Sequence, residues 1–434
     1  MLPALTGDAA LEAATMRRVF MRMLPFLILA YLICYIDRVN VGFAGLQMNK
    51  DLGLSQTVFG LGGGIFFVGY FLLEVPSNLA LERVGASRWI ARIMISWGII
   101  SGAMAFTAGT KSFLTLRFLL GAAEAGFFPG VILYLTYWFP AAHRARIVGV
   151  FMVAIAAAGF IGSPVSGAIL GMDGWLGVRG WQWVFILEAI PAVLMGVASL
   201  VWLTDRPEHA KWLPPEQRAW LAARLATEHA RASRVPHMSV WRVVREKHVL
   251  VMALVYAGPA AASSGLAIWM PQIVKSYGLT NLQTGFVTAV PYLIAAVLMI
   301  VWGQHSDRTQ ERVWHTAVPI ALIAAGLLAT CVISSLWPMV VLLTLVVVGT
   351  RASNGPFWAL STEFLGAPVA AAGIAQINAL GNLSGFAANY LIGAIKDATG
   401  SYALSLLPIM ALAAVAAVAV VWISRGHVSV VPAE

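Results

Sequence analysis

Asp37 and Arg38 stand side by side in an apolar stretch, and Arg117 and Glu124 stand seven residues apart in another. An ionisable side chain in hydrocarbon costs at least about 2.5 kcal/mol even on the lenient insertion scale, so charge inside an apolar run implies a task. Neighbours on a helix diverge by about 100°, so Asp37 and Arg38 cannot face the same way. Arg38 shares its face with Tyr35, Cys34 and Tyr31, three, four and seven residues back, and is the better candidate to meet a ligand. Arg117 and Glu124 lie about two turns apart on one face, and Gly121 leaves room between them. Two acids and two arginines balance to zero, so one reading is a buried network that only fixes helix packing, although ion pairs so placed often fail to offset their desolvation. The chemistry open to the set is an exchange of partners. Protonating Asp37 or Glu124 frees an arginine, whose planar fork can grip a carboxylate through two parallel hydrogen bonds. Proton and carboxylate binding then favour each other.

Glu74, Glu188 and Arg351 are the remaining charges within apolar runs. Glu74 falls within two or three turns of the end of its span, near Arg83 and Arg88, so a salt bridge at a gate is its expected role, and Glu188 is read the same way without an identified partner. Tyr35, Tyr70, Trp269 and Trp358 could line a pocket, with Asn354, Asn378 and Asn382 contacting hydroxyls or a second carboxylate. Ordinary packing explains any one of these aromatics equally well.

These side chains need helices that cross a membrane. The 434 residues are 60% hydrophobic and 11% charged, against about 25% charged in soluble domains, and cannot build a water-facing surface. Charge-free runs such as Leu52 to Leu73, Ile147 to Met172 and Ser276 to Gln304 meet the ~20 residues a spanning helix needs. They are apolar all round, unlike the alternating segments of a β-barrel. Twelve spans are predicted: 22 to 46, 56 to 80, 89 to 109, 113 to 138, 147 to 171, 182 to 203, 248 to 273, 284 to 304, 314 to 335, 338 to 363, 369 to 394 and 402 to 424. The predicted fold is an all-α membrane protein of twelve transmembrane helices in two six-helix bundles, 22–203 and 248–424. A tail at 1–21, a linker at 204–247 and a tail at 425–434 complete the chain. In the linker, Pro215-Glu216-Gln217-Arg218 followed by Trp220, Leu221, Arg224 and Leu225 reads as a short amphipathic helix.

Lys and Arg concentrate in the tail and in alternate loops, whereas Lys50, Lys111, Arg179, Lys275 and Lys396 stand one per loop on the other side. That bias places both termini in the cytoplasm. The net charge of +9 is then a topology signal, and nucleic acid drops out as a partner. The first twenty residues lack an apolar core followed by a small-residue cleavage site, so no removable signal peptide is expected. Cys34 and Cys331 lie in apolar runs, where packing is the plainer reading than a disulfide. The eight His residues show no ligand spacing, which argues against a membrane-embedded metalloenzyme.

An internal repeat supports two bundles. Asn78 to Arg88 and Gly303 to Arg312 each place an acid–Arg pair, Glu82-Arg83 and Asp307-Arg308, at the same step of a six-helix unit. Here the chain resembles the major facilitator superfamily, whose loop signature is Gly-x-x-x-Asp-Arg-x-Gly-Arg; Glu82, Arg83, Gly85 and Arg88 match in kind, and Asn78 replaces the leading Gly. The finer resemblance is to the anion:cation symporter family, which includes bacterial tartrate, phthalate, hexonate and nicotinate transporters and the vesicular glutamate and sialic acid transporters of animals. Tyr35-Ile36-Asp37-Arg38-Val39-Asn40, Glu74-Val75-Pro76-Ser77-Asn78, Arg117 through Glu124-Ala125-Gly126-Phe127-Phe128-Pro129-Gly130, and Trp181-Gln182-Trp183-Val184-Phe185 with Glu188 carry it. So do Asn354-Gly355-Pro356-Phe357-Trp358-Ala359-Leu360 and Ile395-Lys396-Asp397-Ala398-Thr399-Gly400.

The resemblance implies two halves rocking about a central site, with Asp37 and Glu124 coupling to protons and Arg38 holding the substrate carboxylate. Arg117 would hold Glu124 ionised or serve the anion. Tyr35, Tyr70, Trp358, Asn354, Asn378 and Asn382 fill out the expected pocket, and Glu74, Glu82, Arg83, Arg88, Glu188, Asp307 and Arg308 the gating or structural set. The expected function is a proton-coupled symporter importing a small organic carboxylate by alternating access in a bacterial-type inner membrane. The alternative is an exchanger or facilitator without obligatory coupling. Expected partners are the anion, the proton and the bilayer, with a monomeric chain, no metal, and no cofactor beyond the coupling proton.

Overall fold

A backbone in hydrocarbon must satisfy its own hydrogen bonds, which a helix does within one segment. The computed structural model describes residues 7–232 and 246–426, and no strand occurs among them. The first half contains α1 (Gly7–Asp51), α2 (Gln56–Val84), α3 (Ala86–Ala103), α4 (Thr110–Glu124), α5 (Phe127–Thr136), α6 (Ala141–Ile169) and α7 (Gly180–Trp202). After α8 (Pro215–Ala232) come α9 (Lys247–Lys275), α10 (Asn281–Thr309), α11 (Val313–Ala329), α12 (Leu336–Ala352), α13 (Asn354–Thr399) and α14 (Leu407–Gly426). Eleven segments among the described residues are long and apolar enough to cross a bilayer, with α4 and α5 forming one.

The expected span at 369–394 falls within α13, which has 46 residues. At 1.5 Å per residue a straight helix of that length would run about 69 Å, more than twice the hydrocarbon thickness. It is not straight: a Cβ on Gly373 would lie 2.7 Å from Leu365 Cδ1, whereas eight residues of straight helix cover about 12 Å. The first part of α13 completes the span begun by α12, and the chain then folds back.

The expected N-terminal tail is different in the structure, because residues 8–21 are the first turns of α1. Met16, Val19, Met23, Leu27 and Ala30 recur at helical spacing and are buried together in the first-half core. Glu12 meets His143 at 2.9 Å. The linker helix α8 is docked on the same bundle through Leu221 and Leu225, and Glu228 accepts from the Ala141 N–H at 3.0 Å and pairs with Arg144 at 3.2 Å. Residues 233–245 of the linker and 427–434 of the C-terminal tail lie outside the described residues.

The apolar cores are not divided at the linker. One cluster contains residues of the first half and of the linker docked on it, from Met16 to Leu225, near the basic face that carries the N-terminus. The other joins Val41, Phe59, Phe113 and Phe185, toward the opposite or distal face, to residues of α9 through α14. The halves thus share a core distally and have separate cores basally. Helices approach this closely only where side chains are small. A Cβ on Gly42 would sit 2.7 Å from the Ile268 carbonyl oxygen, and Gly60 lies against the Asn389 carbonyl. Gly167 and Gly285 repeat the arrangement between α6 and α10, as does Gly393 against Gln56. Gln272 donates to the Gly42 carbonyl at 3.0 Å. Asp397 accepts from the backbone N–H groups of Gln56 at 3.1 Å and Thr57 at 2.7 Å, and from the Thr57 hydroxyl at 2.5 Å. The halves are therefore closed against each other at the distal face.

Candidate substrate and proton site

Arg38 pairs through Nη2 with Glu124 Oε1, and Cys34 Sγ donates to the same oxygen at 3.2 Å. The Arg38 side chain is 20% exposed and that of Glu124 1%, so the acid stands behind the arginine. The rings of Tyr35, Phe66 and Tyr70 flank the guanidinium at 5.2, 5.4 and 5.4 Å, within cation–π range. Glu124 is the last residue of α4, and the chain leaves through Gly126 at φ 83°. That left-handed backbone favours glycine, and a Cβ there would meet Ser77 of α2.

Asp37 points away from this pair, as the 100° step requires. It is 1% exposed, accepts from the Ser101 hydroxyl and from Asn40 Nδ2 at 2.8 Å, and has Oδ2 without a partner. Arg117 is also buried; its Nε donates to the Gly62 carbonyl at 3.0 Å and its guanidinium lies 5.1 Å from the Phe66 ring. The square of two acids and two arginines is thus one ion pair and two groups held separately. The Gly62 carbonyl of α2 holds Arg117 Nε beside the Phe66 ring that Arg38 also approaches, and Arg117 Nη1 is buried without a partner.

Glu188 accepts from the Ser166 hydroxyl at 2.6 Å and lies near Asn40 and Asp37, so its partners are hydroxyl and amide rather than the ion-pair partner the gate reading supposed. Glu74 faces Asn378 of α13, close enough to hydrogen-bond it, and makes no ion pair with Arg83 or Arg88 among the described residues. Arg83 is nine residues on, about 180° around α2. Glu82, Arg83 and Arg88 are exposed; the acid that reaches this turn is Asp205, which accepts from the Ser87 N–H at 2.8 Å. In the second repeat Asp307 pairs with Arg312 at 2.8 Å, not with Arg308, and Arg312 approaches Glu363 at 4.0 Å. Adjacent acid and arginine diverge on a helix, so neither sequence pair is an ion pair in space.

On the second half, Trp358, Asn354, Asn378 and Asn382 are half-buried. Tyr256 stacks on Phe357 at 5.2 Å and meets Trp358 at 5.0 Å. Sequence reasoning passed over Tyr256, although it is the sole tyrosine in the run Val249 to Val274, and a phenol in such a run usually has a polar partner. Trp269 lies elsewhere, fully buried with its ring 5.3 Å from Phe59 in the distal contact.

The family profile of the Major Facilitator Superfamily matches residues 27–389. A protein of Agrobacterium vitis named "Putative tartrate transporter" is 51% identical over 418 residues, 96% of each chain. The "Quinolone resistance transporter" of Acinetobacter baumannii is 40% identical over 398 residues, 91% of each. A crystal structure of a bacterial homologue of the human lysosomal transporter Spinster, described as inward-facing and unoccupied, superposes with a TM-score of 0.78 at 17% identity. That match spans 94% of this chain and 98% of the other, and it shows the fold. With helices throughout, a profile match over most of the length and a relative of equal extent, the chain belongs to the Major Facilitator Superfamily.

Proposed function

We propose that this transporter is a proton-coupled symporter that imports a small organic carboxylate across the inner membrane, with both termini cytoplasmic. The observation that carries the reading is the Arg38–Glu124 pair, in which a partly exposed guanidinium is neutralised by a buried acid. While Glu124 is ionised, an arriving carboxylate finds Arg38 already neutralised. Protonation of Glu124 removes the competitor, and Arg38 turns its fork to the substrate. Proton and anion then travel together because each raises the affinity for the other. Asp37 is a second buried acid that can load a proton, held by Ser101 and Asn40. Distal closure supports an inward-facing state, from which release would occur into the cytoplasm. The name of the Agrobacterium relative supports a carboxylate substrate.

Uptake into proteoliposomes, across a panel of carboxylic acids including tartrate and with or without an inward proton gradient, tests this. Gradient-driven accumulation of at least one acid is expected. Uptake indifferent to the gradient would make the protein an exchanger or facilitator, and no uptake of any carboxylate would overturn the reading.

A further inference from the structure

Arg351 lies inside α12, 9% exposed, and its Nε is buried without a partner. No hydrogen bond or ion pair reaches its guanidinium among the described residues. A buried guanidinium without a counter-charge is strongly unfavourable, so the position is built to meet an anion at some stage of the cycle. Its electrostatic neighbours are the phenols Tyr256 and Tyr292, and both of these also lie near Tyr35, the ring beside Arg38. Tyr256 is near Glu74 of α2 as well. The two tyrosines thus feel the charge of Arg351 in the second half and lie near the ring that flanks Arg38 in the first. Depth agrees: Arg38 is 13 residues from the distal end of α1 and Arg351 is 15 from the distal start of α12, about 20 and 22 Å along their helices.

We propose that Arg351 binds the second carboxylate of a dicarboxylate whose first carboxylate is held by Arg38, so that the substrate itself ties the halves together. The inference rests on the carboxylate-import reading and names its substrate class. The arginines differ in readiness. Arg38 is neutralised until Glu124 takes a proton, whereas Arg351 has no competing acid and can receive a carboxylate first. A monocarboxylate can satisfy one arginine and leaves the other buried and unpaired.

Binding to the purified full-length protein, measured with tartrate and malate and with their monoamides, tests the assignment. Each pair keeps the length of the molecule and replaces one carboxylate by a neutral amide. Wild type is expected to prefer the diacid by at least about tenfold, the worth of one charge-assisted contact. Arg351→Gln should abolish that preference, so that diacid and monoamide bind with similar affinity through Arg38, and this residual binding also proves the variant folded. If Arg351→Gln binds neither ligand, Arg351→Lys is read instead and should keep part of the preference, since it retains charge without the fork. An undiminished diacid preference in Arg351→Gln, no preference in wild type, or equal loss for both ligands in Arg351→Lys would each overturn the proposal. Failure of the underlying reading looks different, because then wild type binds no carboxylate, mono or di.

Discussion

Arg38 is held by an ion pair and by aromatic faces on several sides, an arrangement that suits a planar guanidinium and not a lysine ammonium. Arg38→Lys should therefore weaken binding of the best carboxylate by roughly tenfold or more, the worth of a lost charge-assisted bond; near wild-type affinity by calorimetry would remove Arg38 from the site. Glu124→Gln and Asp37→Asn each fix an acid in a neutral form of nearly the same shape. Concentrative uptake should fail in whichever variant removes an obligatory coupling acid, while exchange of labelled for unlabelled substrate persists because it needs no proton turnover. Loss of both activities would mark misfolding, and gradient-driven accumulation in both variants would mean that neither acid is the coupling site. The helical step told which residues share a face with Arg38, and apolar runs told which charges are buried. Sequence could not tell which acid meets which arginine, since that depends on the register of α4 against α1 and on the turn at Gly126. Nor could it reveal the Arg117 contact, because a backbone carbonyl such as that of Gly62 leaves no mark in the sequence.

Between elements, the distal closure depends on groups that are hundreds of residues apart. Asp397 at the end of α13 completes the hydrogen bonding of the first turn of α2, 340 residues away in sequence. Partial burial raises the Asp397 pKa, but the hydrogen bonds from Thr57 and Gln56 outweigh it and hold the carboxyl below its ordinary range. Because those bonds exist only while the halves are closed, the acid favours closure at any pH above the ordinary carboxylate value of about 3.9, and that contribution disappears as pH falls through the lowered pKa. Closure should accordingly be insensitive to this group between about pH 5 and 8. Asp397→Ala should shift the protein toward distal opening. With the exposed Cys331 replaced by Ser, a cysteine at Gln272, buried in the contact, would then react faster with an impermeant maleimide added from that side than in the same background with Asp397 intact; unchanged labelling would show that Asp397 does not hold the gate. The spans themselves were legible because length and hydropathy suffice for them. The helical turns of residues 8–21 were not, since Thr15 and Met16 find cover only against neighbouring helices of the folded bundle.

For the whole molecule, the number of crossings fixes where the chain ends. If α13 crosses once after folding back near Leu365, the total is twelve and both termini share one side; without that crossing they are on opposite sides. Fusions of a fluorescent protein and of alkaline phosphatase to the C-terminus should give fluorescence and no phosphatase activity, as a cytoplasmic end requires, and the reverse pattern would refute the twelve-span arrangement. In the proposed cycle the distal contact opens and recloses in every turnover, and that contact is backbone laid against backbone. Such a surface has no slack for an added methyl group. In a scan recording which substitutions preserve transport, Gly42, Gly60, Gly167, Gly285 and Gly393 should prove as intolerant as the charged residues, because an added Cβ at each would run into the backbone of the facing half.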